Sequence, residues 1–239
     1  VAFPFFVFLQ KDLGTAIIYF SIVALIFLLS PVSNKIKGKI LGIGVGLVVI
    51  VSLIFIGAGK SILSERQMSR ITSVISSSSP CSEENYYTTG YQVCNGYIAI
   101  HNGGLTGVGL GDSTQKYLYL PEAHTDFIFP IICEELGLIT GIFVVIGYFI
   151  MLFLILNVAK ETDTLRNSIL AYGIFAYLLA HILINLLGVL GLIPLTGVPL
   201  PFLSYGGSYN LCVVVSLFVL QRIHYENKEA ILRKKIEQL

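Results

Sequence analysis

The chain has 239 residues, of which 55% are hydrophobic and only 12% are charged, and its mean hydropathy is +0.82. A soluble domain normally carries about 25% charged residues, so this composition indicates an integral membrane protein that crosses the bilayer several times. The formal net charge of +1 argues against a nucleic-acid-binding protein, which would carry a basic surface patch.

Six apolar stretches predict an all-α protein with about six transmembrane helices. They span residues 1–9, 15–29, 40–56, 127–158, 168–190 and 203–220. The fourth has about 32 residues, more than the ~20 that cross a bilayer, so we expect it to be tilted, kinked or partly outside the membrane core, with Pro130 as an obvious place for a kink. Residues 191–201 contain three prolines and two glycines and cannot form a regular helix.

The positions of lysine and arginine predict the orientation, because cytoplasmic segments of membrane proteins are enriched in both. When the basic loop 31–39 is placed inside, ten of the fifteen lysines and arginines lie inside. The prediction is a single membrane domain over residues 1–224, with a large extracytoplasmic loop at about 57–126, followed by a charged cytoplasmic tail at 225–239.

The chain begins at Val1 within an apolar run and without the basic segment of a signal peptide, which predicts that its natural N-terminus is missing. Its four cysteines have no metal-binding spacing. Cys81 and Cys94 share the large polar loop, so a disulfide between them is an open alternative if that loop lies outside.

An acidic sequence stands where the large loop re-enters the membrane, and Asp126 is its last carboxylate before the apolar stretch. From position alone, two interpretations remain open. Asp126 would be an N-terminal helix acid favoured by the helix dipole, with Thr125 near the cap. Alternatively, it would be a general base at the boundary between water and membrane, where partial desolvation strengthens a carboxylate as a base.

Glu134 and Glu135 follow inside the apolar stretch, where an acid costs roughly 2.5–3.5 kcal/mol at the membrane centre. We expect at least one of them to be structural, paired with His181, Arg70 or the backbone. His181 and Asn185 are four residues apart and therefore share one face of a later apolar helix. We expect both glutamates, His181 and Asn185 to be structural or to line a cavity.

A glycine-rich sequence, GGLTGVGLG at 103–111, permits two interpretations. Its backbone N–H groups would cradle a phosphate, or its glycines would let a turn pack closely on the membrane surface. Three cations on the predicted outer side, Arg66, Arg70 and Lys116, would suit a diphosphate if they converge near one acidic site.

Several motifs together resemble the SEDS family (shape, elongation, division and sporulation), which includes FtsW and RodA. They are LQKDLGTA (9–16), GYQ (90–92), AIHNGGLTGVGLGDSTQK (99–116), LPEAHTDFIF (120–129), EELG (134–137) and PLTGVPLPFLSYGGS (194–208), in the family's order. The resemblance covers nearly the whole chain, and GVGLGDSTQK looks closer to FtsW-type than to RodA-type members. Two residues depart from the family pattern, since Lys11 replaces a proline and Tyr209 replaces a serine.

The resemblance implies a ten-helix membrane protein, of which this chain would hold about the last six helices. Family members polymerise lipid II into glycan strands outside the bacterial cytoplasmic membrane. The expected activity is therefore that of a peptidoglycan glycosyltransferase, acting in cell division and septal wall synthesis. The acceptor's sugar hydroxyl would attack the donor's anomeric carbon with inversion, and undecaprenyl diphosphate would leave.

The family's essential acid falls in its HTDF motif, which makes Asp126 the catalytic base that the resemblance implies. Cationic side chains, or a divalent cation such as Mg²⁺ or Mn²⁺, would neutralise the diphosphate. The expected substrate-binding residues are Lys116, Arg70, Arg66, Glu122, His124, Ser204 and Gly206.

The partners implied by the resemblance are lipid II, a class B penicillin-binding transpeptidase, other division or elongation proteins and membrane lipids, and nucleic acid is not among them. Two alternatives to a polymerase remain open. In a lipid II flippase, Glu134, Glu135 and His181 would line a path between the leaflets. In a non-catalytic scaffold of the division machinery, the chain would only recruit the transpeptidase.

Overall fold

The computed structural model describes residues 13–29, 33–57, 68, 79–87, 90–162 and 164–237. Over these residues the chain is helical and contains no β-strand. The helices are α1 Leu13–Leu29, α2 Asn34–Gly57, α3 Glu83–Tyr86, α4 Tyr91–Gly103, α5 Gln115–Leu118, α6 Ile128–Lys160, α7 Leu165–Val189 and α8 Gly207–Glu237.

Two helices of the described part, α6 and α7, are long and apolar enough to cross a membrane. Only 22% of the most apolar window of α6 is buried within the protein, so most of its apolar surface faces outward. A shorter apolar segment, Gly14–Leu28, lies in α1. The count of six spans stays a prediction, and the first predicted span, at 1–9, lies outside the described residues.

One predicted helix boundary is wrong. The helix α2 begins at Asn34, so Lys35, Lys37 and Lys39 lie in its first turns rather than in a loop. Lysine is a good helix former, and the turn starts on the carbonyl oxygen of Ser33, which accepts hydrogen bonds of 3.0 Å from two following N–H groups. The last predicted span and the charged tail form one continuous helix, α8, in agreement with the helical periodicity of the tail's sequence.

The long helix α6 is interrupted at Gly137, where φ is 83° and ψ is 166°. The prediction of a kink is confirmed, but its predicted position at Pro130 is wrong. Pro130 lies in the first turn of α6, where a helix needs no N–H donor, and is therefore accommodated without a kink. The break divides α6 into a short first part that carries Glu134 and Glu135 and a longer second part.

The predicted large loop contains ordered helical structure. Helix α4 packs against α6, with Cys94, Asn95 and Ala99 among its buried residues. A disulfide joins Cys94 to Cys81 and thereby ties α4 to the turn that precedes α3. Arg66 and Arg70 lie outside the described residues.

The main core lies between α6, α7 and α8, where Leu152, Leu178 and Val213 are buried in one apolar cluster. Helix α1 packs against α7, and Ile18 of α1 shares a second cluster with Ala180 and Val198. No regular helix forms between Val189 and Gly207, as the prolines and glycines predict. This irregular segment lies between α1 and the residues around Asp126.

Candidate functional site

Residues 119–127 connect α5 to α6 and carry Asp126. Three apolar side chains, Leu120, Ala123 and Phe127, are buried in one cluster and anchor this segment. Glu122 and His124 are exposed between these anchors, and Asp126 is half-buried. The buried apolar side chains hold this segment in place and leave the polar side chains between them accessible.

Asp126 is not a helix cap in this structure. The N-cap position of α6 is Phe127, and no side chain makes a capping hydrogen bond there. The Thr125 hydroxyl lies 3.2 Å from Asp126 Oδ1 and 2.8 Å from Glu122 Oε2, and its one proton can be donated to either oxygen but not to both at once. Asp126 directly precedes the N-cap residue, so the interpretation as an acid at the helix N-terminus and the interpretation as a general base both stay open.

Asn185 fixes the backbone beneath Asp126. Its side-chain amide donates hydrogen bonds to the carbonyl oxygens of Asp126, at 2.8 Å, and of Val198, at 2.7 Å. Asn185 is buried in α7. One side chain therefore joins three parts of the chain, namely α7, the segment carrying Asp126, and the irregular segment before α8.

Ser204 holds the turn before α8 against the same segment. Its hydroxyl donates to the carbonyl oxygen of Thr125 at 2.5 Å and accepts from the N–H of Leu200 at 2.7 Å. One residue further on, the N–H of Tyr205 donates to the carbonyl oxygen of His124 at 2.8 Å. The predicted site residues His124 and Ser204 are thus brought together through the backbone.

The predicted residue Gly206 lies at the start of α8, where its carbonyl oxygen accepts a hydrogen bond of 2.9 Å from the N–H of Asn210. It supports the first turn of the helix.

Two non-glycine residues of the described part have a strained backbone, one in the segment that carries Asp126 and one in the turn before α8. Glu122 has a φ of 57° and Phe202 a φ of 66°. Left-handed conformations cost free energy for residues with a Cβ and cluster at functional sites, where the surrounding structure holds them. Glu122 lies in the segment at 119–127, and Phe202 lies in the turn that Ser204 holds against that segment. Both positions support a functional role for this region.

A cavity of about 310 Å³ lies near Asp126, which is not itself among the lining residues. A methyl group added to Gly197, which lines it, would lie 3.7 Å from Asp126 Oδ2, so the carboxylate lies directly next to this glycine. The cavity's further lining residues are Thr15, Ile18, Tyr19, Tyr177, His181, Thr196, Val198, Pro199 and Tyr209. Hydroxyl groups and aromatic rings therefore dominate its wall.

His181 lies in an aromatic cluster on this wall. Its Nδ1 is 2.9 Å from the carbonyl oxygen of Tyr177, and its ring stacks on Tyr209 with 5.0 Å between centroids. The Tyr209 hydroxyl is buried and has no hydrogen-bond partner among the described residues. The predicted common face of His181 and Asn185 is confirmed, since His181 lines the cavity and Asn185 binds Val198 on the same wall.

Glu134 is 1% exposed and fully provided with hydrogen-bond donors. Its donors are the side chains of Asn102, Ser113 and Thr114 and the backbone N–H of Gln115. Asn102 lies near the end of α4, Gln115 is the first residue of α5, and Ser113 and Thr114 lie in the loop between these helices. This explains how a carboxylate is tolerated inside an apolar stretch, because the polar loop covers it.

The neighbouring Glu135 forms an ion pair with Lys116. The hydrogen bond from Lys116 to this carboxylate holds the pKa of the ammonium above its usual value. Lys116 Nζ also lies 4.8 Å from the centre of the Tyr117 ring. The sequence did not predict this pair, because the two residues lie in separate motifs, although each is a charge that requires a partner.

The glycine-rich sequence fills the break in α6. The N–H groups of Val108 and Gly109 donate to the carbonyl oxygens of Glu134 and Glu135, at 2.9 and 3.0 Å. On the other side of the break, the N–H of Leu138 donates to the carbonyl oxygen of Gly104 at 2.9 Å. Backbone groups left unpaired by the break are thereby satisfied, as membrane helices require.

Close contact between the backbone of the glycine-rich loop and that of α6 explains the glycines at the break. A methyl group at Gly107 would lie 2.2 Å from the carbonyl oxygen of Glu135, and one at Gly137 would lie 2.2 Å from that of Leu105. Both glycines also have positive φ, of 85° and 83°. The glycines therefore let this turn pack closely against the backbone of α6, whereas the predicted surface for such packing was that of the membrane.

Within the described residues, no three side chains of histidine, cysteine, aspartate or glutamate converge to hold a metal ion. A site built from protein ligands alone is therefore not present in that part of the chain. Mg²⁺ sites in other proteins commonly use one or two carboxylates together with phosphate oxygens of a ligand, which is a smaller set of protein ligands than three converging side chains.

These features define an integral membrane protein whose described part is all-helical, with an acid before a broken apolar helix and a polar cavity beside it. Comparison with known proteins agrees with this class. The sequence profile of the FtsW, RodA and SpoVE cell cycle proteins matches residues 1–229, and the chain belongs to this family. The family expected from the motifs is thereby confirmed.

Individual relatives are consistent with this membership. The probable peptidoglycan glycosyltransferase FtsW of Bacillus subtilis (strain 168) is 39% identical over 236 residues, which are 97% of this chain and 56% of that protein. Stage V sporulation protein E of the same strain is 42% identical over 135 residues, which are 56% of this chain and 37% of that protein. The chain spans about half the length of the curated relatives it matches.

A solved structure of a peptidoglycan synthase complex contains a chain of similar fold. The TM-score is 0.66 at 22% identity, and the likeness covers 92% of this chain and 58% of that one. At this identity the likeness shows the fold alone.

Proposed function

We propose that the protein of which this chain is part polymerises lipid II into glycan strands, as an inverting peptidoglycan glycosyltransferase. The observation that carries the proposal is the half-buried carboxylate of Asp126 beside a polar cavity. Relatives that are named as probable peptidoglycan glycosyltransferases support it.

In this mechanism Asp126 is the general base. It accepts the proton of the acceptor's sugar hydroxyl while that oxygen attacks the donor's anomeric carbon. Undecaprenyl diphosphate leaves with the bonding electrons, and the anomeric centre inverts. A diphosphate is a stable anion, so the reaction needs one base and no strong acid.

The cavity wall offers groups that would orient the sugars. Thr15 and Thr196 contribute hydroxyl groups, and the Tyr209 hydroxyl has no partner among the described residues. A substrate hydroxyl or amide that entered the cavity would complete its hydrogen bonding. Since Tyr209 stands where the family pattern has a serine, its ring would also narrow the cavity.

Neutralisation of the leaving diphosphate is assigned to cations near the outer face. Lys116 is bound to Glu135, so an approaching diphosphate would compete with that carboxylate for the ammonium. Arg66 and Arg70, outside the described residues, remain candidates. A divalent cation is the other proposal, and loss of activity in EDTA that Mg²⁺ or Mn²⁺ restores would support it.

The orientation proposed from lysine and arginine places Asp126 on the outer side of the cytoplasmic membrane. The disulfide between Cys81 and Cys94 supports this orientation, because such bonds persist in oxidising compartments outside the cytosol.

The proposed partner is a class B penicillin-binding transpeptidase, which would cross-link the strands as they form. The fold's likeness to a chain from a peptidoglycan synthase complex supports an assembly of this type. Relatives named FtsW support a role in cell division. A relative named as a sporulation protein supports sporulation as the second candidate role.

The proposal is tested with the full-length protein and its transpeptidase partner in proteoliposomes supplied with lipid II. Glycan polymer, resolved by electrophoresis, is the expected product. Movement of lipid II between leaflets without polymer would favour a flippase. Absence of both products, together with normal recruitment of the transpeptidase, would favour a scaffold.

A further inference from the structure

A second groove, of about 460 Å³, lies between α7 and α8 at the opposite end of α7 from Asn185. Arg166, in its lining, is 19 residues before Asn185, or about 28 Å along a helix, so the groove is separate from the site of Asp126. The groove residues used below are Arg166, Asn167, Leu170, Phe218, Arg222 and Glu226.

The polar end of the groove carries a surplus of positive charge. Arg222 Nε donates to Glu226 Oε1 at 2.9 Å, and Asn167 Nδ2 donates to Glu226 Oε2 at 2.8 Å. Both oxygens of this carboxylate are therefore occupied by protein donors. Arg166 makes no hydrogen bond or ion pair with the described residues. Two arginines and one glutamate leave a net charge of 2 − 1 = +1 in the groove.

The other end of the groove is apolar and open. Leu170 lies four residues after Arg166, and Phe218 lies four residues before Arg222, so each is about 6 Å further along its helix. Both side chains are exposed, Leu170 at 44% and Phe218 at 67%. Because α7 and α8 run in opposite directions, both arginines lie at one end and both apolar side chains at the other.

We propose that this groove binds an anionic phospholipid. Its phosphate-bearing headgroup lies on Arg166 and Arg222, and an acyl chain lies along Leu170 and Phe218. The terminal N–H groups of a guanidinium match the geometry of phosphate oxygens, and basic pockets between membrane helices suit anionic headgroups. A zwitterionic lipid carries its own cation and gains less from the net charge. In the orientation proposed above, the lipid belongs to the cytoplasmic leaflet.

The full-length protein in detergent, titrated with phosphatidylglycerol or phosphatidylcholine and analysed by native mass spectrometry, tests this proposal. Phosphatidylglycerol is expected to remain bound and phosphatidylcholine to dissociate. Arg166→Gln breaks no contact between described residues, so the protein should keep its melting temperature while its affinity for phosphatidylglycerol falls about tenfold.

The matched control is Arg233→Gln, which removes the same charge from an exposed arginine elsewhere on α8, paired with Glu229. It should leave lipid binding unchanged. Equal retention of the two lipids, or an equal loss of binding in Arg233→Gln, would overturn the proposal. Inorganic phosphate should not displace the lipid, because it has no acyl chain, and displacement by phosphate would exclude a lipid site.

Discussion

The side-chain amide of Asn185 donates a hydrogen bond of 2.8 Å to the backbone carbonyl oxygen of Asp126. A second hydrogen bond from the same amide reaches Val198, in the wall of the cavity. The position of the proposed base relative to the cavity therefore depends on one buried side chain of α7. Asn185 is a positioning residue, because it contacts the backbone of Asp126 and not the carboxylate.

Replacement of Asn185 by alanine should lower both stability and turnover. Two buried carbonyl oxygens would lose their donor, at a cost of roughly 1–3 kcal/mol. Displacement of the base by a fraction of an ångström should reduce kcat by about tenfold or more, with a smaller effect on KM. Thermal unfolding in detergent and polymerisation kinetics measure the two effects.

The control for this change is Asn157→Ala in α6, where the half-buried asparagine side chain makes no hydrogen bond with the described residues. Asn157→Ala should leave kcat unchanged. Equal kcat values for Asn185→Ala and the wild-type protein would contradict the positioning role.

Replacement of Gly137 by alanine should destabilise the protein by roughly 2–5 kcal/mol. The added methyl group would meet the carbonyl oxygen of Leu105 at 2.2 Å, and the backbone has a φ of +83° there. Gly147→Ala, ten residues further along the same helix, adds its methyl group where no atom lies within 4 Å. A similar melting temperature for both variants would contradict the close contact between Gly137 and the backbone of Leu105.

Replacement of Glu134 by glutamine should release the loop between α4 and α5. The new amide group would face the hydroxyl donors of Ser113 and Thr114, which costs roughly 2–4 kcal/mol for lost charge-assisted hydrogen bonds. Hydrogen exchange should therefore accelerate at residues 102–116. The exposed Glu161 supplies the control, since Glu161→Gln should leave this exchange unchanged. Unaltered protection of the loop in Glu134→Gln would show that Glu134 does not hold it.

The disulfide predicts a defined pattern of cysteine labelling. In the denatured but unreduced protein, a maleimide should label Cys133 and Cys212 and leave Cys81 and Cys94 unmodified. After reduction, peptides that contain any of the four should carry the label. Labelling of Cys81 without reductant would contradict the disulfide and the support it gives to an outer location.

The sequence identified the carboxylate of interest because its chemistry is local. Asp126 stands at the point where polar residues change to apolar ones, and the HTDF motif surrounds it. The common face of His181 and Asn185 was predictable for the same reason, since helical spacing alone determines it.

The position of the break at Gly137 was not predictable, because the stretch is apolar apart from Glu134 and Glu135 and nothing in it marks an interruption of the backbone. Its cause is the backbone of Gly104–Gly109, about 30 residues earlier in the chain. The same distance in sequence concealed the pairing of Lys116 with Glu135. Long-range partners of this type depend on the tertiary fold, although a glycine-rich loop and a glycine within a long apolar run were both visible.

The most direct test of the proposed base is polymerisation of lipid II by the full-length Asp126→Asn protein with its transpeptidase partner. The asparagine side chain keeps the shape of aspartate but cannot accept the proton. Polymer should therefore fall by at least about a hundredfold while the melting temperature is retained. Asp112→Asn, in an exposed position of the preceding loop, should polymerise normally. Polymerisation at the wild-type rate by Asp126→Asn would contradict the assignment of Asp126 as the base.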